Sequence, residues 1–397
     1  MLYHLFEYLN NQGIDFPGAG LMQYISVRVM LCNVIAILTA LFAGNAIINK
    51  LRAKQIGETI RDLGLEGQLQ KKGTPTMGGI IIIISILVPV LLLGNFRNIN
   101  TWLLLLTVVW LGGIGFLDDY IKVFKHDKEG LSAKKKLLAQ VLLGVVVGLV
   151  VFLTHKGGDI TYSQTTIPFF KGNEFDYKWL FPFNGQWARV IQGGIYVLVI
   201  TFIITACSNG TNLTDGMDGL ATGTSAIVGA TLGILAYLSG HVVYADYLNI
   251  MYLPESAETT VFFSAMVGAL MGFLWYNSYP AQVFMGDTGS LMLGGLIGVG
   301  AVLIRKELLL PMLCGIFLVE SLSVIIQRVW FKRTKKRTGT GVRVFRMTPL
   351  HHHYQKENPD AIIQTPHRIQ PENKIVVRFW IIAIILAVLT IVTLKIR

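Results

Sequence analysis

The sequence predicts an all-α, polytopic integral membrane protein with about ten transmembrane helices, and three observations carry that expectation. Only 14% of the 397 residues are charged, against roughly 25% in an average soluble protein, and the mean hydropathy is +0.56. Several apolar runs approach or exceed the roughly 20 residues with which a helix crosses a hydrocarbon core. Basic residues gather in alternate loops between the runs, the pattern of loops retained in the cytoplasm. These features exclude an ordinary cytosolic enzyme and any disordered or fibrous chain.

Windows of about 19 residues place the spans at 22–48, 77–94, 101–117, 137–154, 190–207, 219–240, 259–276, 289–304, 308–330 and 375–394. The first 27 residues contain no Lys or Arg. The basic start of a cleavable signal peptide is therefore missing, and the first run is expected to be a retained span. An even number of spans puts both termini on one side. With the termini outward, the loops 49–76, 118–136 and 328–378 are cytoplasmic and hold 6, 6 and 12 Lys plus Arg, or 24 of the 34. This bias accounts for the formal charge of +11 without nucleic acid as a partner. The chain reads as one transmembrane catalytic domain over 1–397, with an outward loop or hairpin at 155–189 and a long cytoplasmic loop at 331–373. Cys32, Cys207 and Cys314 are far apart in sequence, so no disulfide framework or CxxC metal site is implied.

Placed on this map, the polar residues converge on the cytoplasmic boundary. Asp118-Asp119 closes the third span, Asn209 to Asp218 leaves the fifth, Asn277 closes the seventh, Asp287 opens the eighth, and His351-His352-His353 lies in the long loop. Acidic groups at a membrane boundary are costly unless paired, hydrated or bound to cations, which makes each one a functional candidate. Adjacent residues on a helix project about 100° apart, so Asp118 and Asp119 are expected to play different parts. Asp215 and Asp218 share one side of any helical segment. Oxygen-only ligation of this kind suits Mg²⁺ or Mn²⁺ rather than zinc.

A phosphate-binding inventory lies beside the acids. Lys71, Lys72, Thr74 and Thr76 precede Gly78-Gly79 at the start of a span, where free backbone N–H groups and the helix dipole attract anions. Lys134, Lys135 and Lys136 stand similarly before the fourth span; for them topology anchoring and phosphate contact both stay open. Carboxylate-held Mg²⁺ with lysines is the equipment of pyrophosphate chemistry, and the absence of a GxxxxGK[ST] loop argues against an ATP-driven pump. Three consecutive histidines cannot all face one ion on regular structure, so an anion clamp or a substrate-orienting role is expected rather than a three-His zinc site. His126, His155, His241 and His367 read as ordinary surface histidines, and Glu320 as a structural hydrogen-bonding partner deep in the ninth span.

The strings KKGTPTMGG, FLDDY, NLTDGMDGL, WYNSYPA, FMGDTGS and RMTPLHHHY, in this order from about residue 45 onward, resemble the bacterial phospho-N-acetylmuramoyl-pentapeptide transferases. These belong to the polyprenyl-phosphate N-acetylhexosamine 1-phosphate transferases. The resemblance implies ten transmembrane helices around a cytoplasmic active-site cleft in the inner membrane, and a homodimer. It further implies transfer of phospho-MurNAc-pentapeptide from UDP-MurNAc-pentapeptide to undecaprenyl phosphate, with Mg²⁺, to give lipid I and UMP in peptidoglycan synthesis. By the same resemblance Asp118, Asp119 and Asp287 form the catalytic acidic trio, with Asp287 the Mg²⁺ contact. Lys71, Thr76 and Lys134 handle phosphates, and Gly216, Met217, Asp218, Asn277 and Phe284 form a uridine pocket. Asn212 and Asp215 also face substrate, and His352 and His353, completed by His351, form the histidine motif. The segment 155–189 is longer than this family's outward hairpin.

Two other classes stay open. A UbiA-type prenyltransferase also uses Asp-rich cytoplasmic motifs with Mg²⁺, but Asn212-Leu213-Thr214-Asp215 lacks the NDxxDxxxD-like spacing. A secondary transporter would place charges near the bilayer midplane, whereas these stand at the boundary. The charge bias makes a direct prediction: a cysteine introduced at Lys335 should escape a membrane-impermeant thiol reagent in intact cells, and labelling there would invert the topology.

Overall fold

The computed structural model describes residues 1–14, 18–54, 71, 73–125, 127, 129–154, 163–170, 172, 174–179, 182 and 187–395. After a short N-terminal helix α1 (Leu2–Asn11) come α2 (Ile25–Lys54), α3 (Gly79–Leu93), α4 (Ile99–Phe124) and α5 (Ala133–Thr154). A two-stranded antiparallel pair, β1 (Gln164–Thr166) and β2 (Glu174–Asp176), precedes α6 (Ala188–Thr214), α7 (Leu220–Ser239), α8 (Val242–Leu248) and α9 (Ser256–Asn277). The chain continues through α10 (Gly286–Leu303), α11 (Leu310–Leu313), α12 (Gly315–Thr338), α13 (Leu350–His353) and α14 (Glu372–Thr393).

Every predicted span falls on a helix, but not every one is a simple crossing. Among the described residues eight helices are long and apolar enough to cross a bilayer: α2, α4, α5, α6, α7, α9, α10 and α14. The ninth window is broken, because Glu307–Leu313 and α12 meet at a bend of 74° around Cys314. The helix α3 has only 15 residues, since the chain from Thr74 to Met77 enters it non-helically. A polytopic helical membrane protein results.

The centre of the bundle is α10, which is buried from Thr288 to Leu303. Its small residues allow that position, because close helix approach in a bilayer is driven by packing rather than by the hydrophobic effect. A Cβ on Gly294 would stand 2.3 Å from the carbonyl oxygen of Cys207 on α6. A Cβ on Gly79 of α3 would stand 2.2 Å from the backbone nitrogen of Gly289. Around this axis α10 packs on α4, α6 and α3, while α9 joins α2 to α7 and α5 covers α6. Phe42 on α2, Leu138 on α5 and Ile385 on α14 are exposed on the bundle's perimeter, as lipid-facing positions should be. The antiparallel helices bring the C-terminal ends of α4, α6 and α12 to the same end of the bundle as the N-terminal ends of α3, α10 and α14.

At the other end, the β1–β2 pair is tied to the turn after α10. Thr166 N–H donates to the Arg305 carbonyl at 3.0 Å, Lys306 Nζ donates to Thr166 Oγ1 at 2.8 Å, and the Tyr177 hydroxyl donates to Glu307 Oε1 at 3.2 Å. Arg305, Lys306 and Glu307 are all buried. Burial drives the Lys306 ammonium down to about 7, against the partial support of Glu307. Parts of the 155–189 segment, most of the 49–76 loop, Lys72, His126 and His155 lie outside the described residues.

The packing at Gly79 can be tested directly. In Gly79→Ala the new methyl overlaps the Gly289 backbone, and overpacking of this kind costs about 1–3 kcal/mol. The midpoint of thermal unfolding in detergent should fall. Gly113→Ala, where a Cβ meets nothing within 4 Å, should leave it unchanged or slightly raised.

Candidate active site

Asp118 and Asp119 lie in the last turns of α4 and do separate in role. Both are buried, but they face different partners. Asp119 receives the backbone N–H of Asp287 at 3.2 Å on one oxygen, and the N–H and hydroxyl of Thr288 at 2.9 and 2.6 Å on the other. It thus acts as an N-cap supplied from another helix, satisfying first-turn amides of α10 and complementing its dipole. Gly286, at φ 72°, allows this approach: a Cβ there would lie 2.6 Å from Asp119 Oδ2 and 2.9 Å from Thr76 Oγ1.

Asp118 and Asp287 share two ammonium groups. Lys122 Nζ lies 2.5 Å from Asp118 Oδ2 and 3.3 Å from Asp287 Oδ2; Lys136 Nζ lies 3.0 and 2.5 Å from the same atoms. Asn212 donates to the other oxygen of Asp287 at 2.9 Å and to Ser290 Oγ at 2.9 Å, and Leu131 N–H donates to Asp118 Oδ1 at 2.7 Å. Asp118, Asp119 and Asp287 each present a carboxylate oxygen within 4.8 Å of the others. Three hard oxygen donors of this charge could hold a divalent cation such as Mg²⁺ or Mn²⁺. Sequence reasoning overlooked Lys122, although its place four residues after Asp118 on one helix made the pair legible. The lysine that reaches the cluster from α5 is Lys136; Lys134 is exposed. Asp215, just past α6, is pushed up to about 8 by burial and by the carboxylates of Asp287, Asp119 and Asp218.

A second ionic knot ties three segments together. Lys71 Nζ lies 2.6 Å from Asp218 and 2.7 Å from Glu372, at the start of α14, and 5.8 Å from the centre of the Phe284 ring. Burial alone would lower the ammonium's pKa, but the two carboxylates outweigh it and the net shift is upward. Asp218 also accepts the Ala281 N–H at 3.0 Å, and its own N–H donates to Glu372 at 2.7 Å. Asn277 is buried and braces the same region: its oxygen accepts from Gly219 N–H and the Thr222 hydroxyl, and its nitrogen donates to the Val283 carbonyl. Met217 packs with Leu220, Ile316 and Ile375. The expectation of free amides at Gly78-Gly79 is corrected: these N–H groups donate to the carbonyls of Phe284 and Met285 at 2.8 and 2.9 Å. They stitch the entry of α3 to the entry of α10 and offer nothing to an anion.

The three histidines divide as well. His351 is fully buried, with its backbone N–H donating to Glu320 at 3.1 Å and its Nδ1 3.2 Å from the same carboxylate. Its other face abuts Gly216, where a Cβ would come within 2.2 Å of Nε2. His353 Nδ1 accepts the Arg346 N–H at 3.1 Å and Nε2 donates to the Thr365 carbonyl at 2.8 Å, so both ring nitrogens are committed to folding the loop. His352 is half-buried, and its Nδ1 meets Gln355 Oε1 at 3.1 Å. Burial, then the neighbouring His351 and Lys71, push it down to about 4, which keeps it neutral at pH 7.

Residues 101–305 match glycosyl transferase family 4, and residues 71–83 match signature 1 of phospho-N-acetylmuramoyl-pentapeptide-transferase. The chain is 54% identical over 421 residues to the phospho-N-acetylmuramoyl-pentapeptide-transferase of Parabacteroides distasonis, with all of each chain covered. It is 55% identical over 420 residues to that of Azobacteroides pseudotrichonymphae and 52% identical over 422 residues to that of Porphyromonas gingivalis, again over the full length of both chains.

The division among the histidines predicts different phenotypes. His353→Ala removes two hydrogen bonds inside a folded loop and should lower thermal stability by about 1–3 kcal/mol. His352→Ala should leave the unfolding midpoint nearly unchanged yet reduce transfer at least as much. Equal loss of stability in both variants would contradict the separate roles.

Proposed function

Because the chain belongs to the phospho-N-acetylmuramoyl-pentapeptide transferases, we propose that it transfers phospho-MurNAc-pentapeptide from UDP-MurNAc-pentapeptide to undecaprenyl phosphate. The products are lipid I, for peptidoglycan synthesis, and UMP, and the reaction belongs on the cytoplasmic side of the bacterial inner membrane. The observation that carries this reading is the pairing of Asp118 and Asp287 across Lys122 and Lys136, at the end of the bundle where the Lys71 knot and His352 also lie. Mixed charge of this density suits a substrate with several phosphate oxygens and a counter-cation, because catalysis of phosphoryl transfer rests on positioning and charge stabilisation.

Asp287 is the carboxylate that would hold Mg²⁺, which leaves its neighbour Asp118 for the lipid phosphate. When bound, the ion would neutralise charge on the pyrophosphate and on the departing UMP. Lys122 and Lys136 would exchange their carboxylate partners for phosphate oxygens as the donor enters. Asp119 is spent on the first turn of α10, which keeps Asp287 in place. In the transfer itself an oxygen of the lipid phosphate bonds to the sugar-linked phosphorus, the bond from that phosphorus to the bridging oxygen breaks, and the bridging oxygen leaves on UMP. Asp118, as proton acceptor or orienting group for the lipid phosphate, completes a direct displacement.

The proposal demands a divalent cation. Transfer of labelled phospho-MurNAc-pentapeptide should stop with EDTA and return with Mg²⁺ or Mn²⁺. Asp287→Asn should reduce it by about 100-fold or more while the protein still inserts and folds. A direct displacement also requires that labelled UMP exchange into the UDP donor only when lipid acceptor or lipid product is present. Exchange in rigorously delipidated protein would establish a two-step route through a covalent phospho-enzyme.

A further inference from the structure

A cavity of about 560 Å³ opens between α12 and the loop that follows it, with Gln327, Arg328, Phe331 and Lys332 on the helix and Arg343 and Lys356 on the loop. Among the described residues, no acidic side chain lines it. Among the described residues, Arg328, Lys332 and Arg343 pair with no carboxylate. Cations held this close together repel one another, so a cavity built from them is best satisfied by an anionic guest.

The wall is firmly built. Gln327 Oε1 accepts the N–H groups of Val344 and Phe345 at 2.9 and 3.0 Å, and Val342 N–H donates to Thr334 Oγ1 at 2.9 Å. Arg343 is bridged to Ala361, and its carbonyl accepts the Ile362 N–H at 2.9 Å. The cavity also faces away from lipid. Gln327, Arg328, Phe331 and Lys332 occupy one side of α12 at 100° per residue, while the exposed apolar residues Ile326, Val329 and Trp330 occupy the other. A guest arriving from water is favoured over a lipid headgroup.

The loop joins this cavity to the active site. Arg346 N–H binds His353, His351 abuts Gly216, and Lys356 is near enough to His352 to act on its charge. If the donor lies as proposed above, with its pyrophosphate at Lys122 and Lys136, its peptide can run along this loop, and a peptide ends in a carboxylate. Resting on that reading of the function, we propose that the cavity binds the carboxylate end of the donor's pentapeptide through Arg328, Lys332 and Arg343. Its volume lies within the 300–1,000 Å³ common for small-ligand sites.

Steady-state transfer with two donors tests this, one being UDP-MurNAc-pentapeptide and the other the same molecule with its peptide carboxylates converted to carboxamides. The wild-type full chain should show a donor KM at least about tenfold higher for the amidated donor, as loss of a charge-assisted hydrogen bond implies, with similar kcat. Arg328→Gln, Lys332→Gln and Arg343→Gln should raise KM for the native donor by a like factor and leave it unchanged for the amidated one. The wild-type comparison stands even where a variant fails to fold. Equal KM for the two donors in the wild type, or variants that weaken both donors alike, would overturn the proposal. A variant effect confined to the KM of the lipid acceptor would overturn it too, assigning the cavity to a phosphate headgroup. A wild-type protein that transfers neither donor would refute the functional reading itself.

Discussion

The bond from Asp119 to the first turn of α10 is the interaction on which the site depends. A helix N-terminus buried at a membrane boundary leaves amides that neither water nor lipid can satisfy well, and here a carboxylate from α4 meets them. That bond sets the register of α4 against α10. With the register set, Asp118 and Asp287 come close enough to share Lys122 and Lys136. The close approach of Gly115 to the Asp287 backbone, where a Cβ would come within 2.2 Å, fixes the same pairing by sterics.

The remaining ties fasten connecting segments onto that frame. Lys71, Asp218 and Glu372 join the entry to α3, the loop after α6 and the start of α14. Glu320, on the broken helix α12, holds the backbone of His351, and His353 closes the loop around Arg346. Each tie uses a buried or half-buried polar group that would be costly without its partner. The result is a rim of engaged side chains around a smaller set, Asp118, Asp287, Lys122, Lys136 and His352, whose charge or ring nitrogen can turn toward a substrate.

The membrane spans were legible because their signal is local. An apolar run long enough to cross a bilayer must be a helix, since lipid offers no partner for an open backbone, and all ten windows coincide with helices. The break near Cys314 and the shortness of α3 were not legible, for a bend in a buried segment depends on what packs beside it. The acidic residues were also readable one by one, from charge at a membrane boundary. Their division of labour followed in outline from the 100° between Asp118 and Asp119, and the pairing of Asp118 with Lys122 could have been read from their spacing of four.

What the sequence alone determined, then, was the helical membrane architecture and the identity of the charged residues at one boundary, because hydropathy and the cost of burying charge act residue by residue. Tertiary structure decided which partner each charge meets. Glu372 stands 301 residues from Lys71, and no local pattern could join them. It also decided that Lys136 rather than Lys134 reaches Asp287, that the amides of Gly78 and Gly79 are consumed by Phe284 and Met285, and that His353 is a loop fastener while the Nδ1 of His352 meets Gln355. These outcomes turn on helix phase and on ångström-scale approach between segments distant in sequence, which only the packed bundle defines.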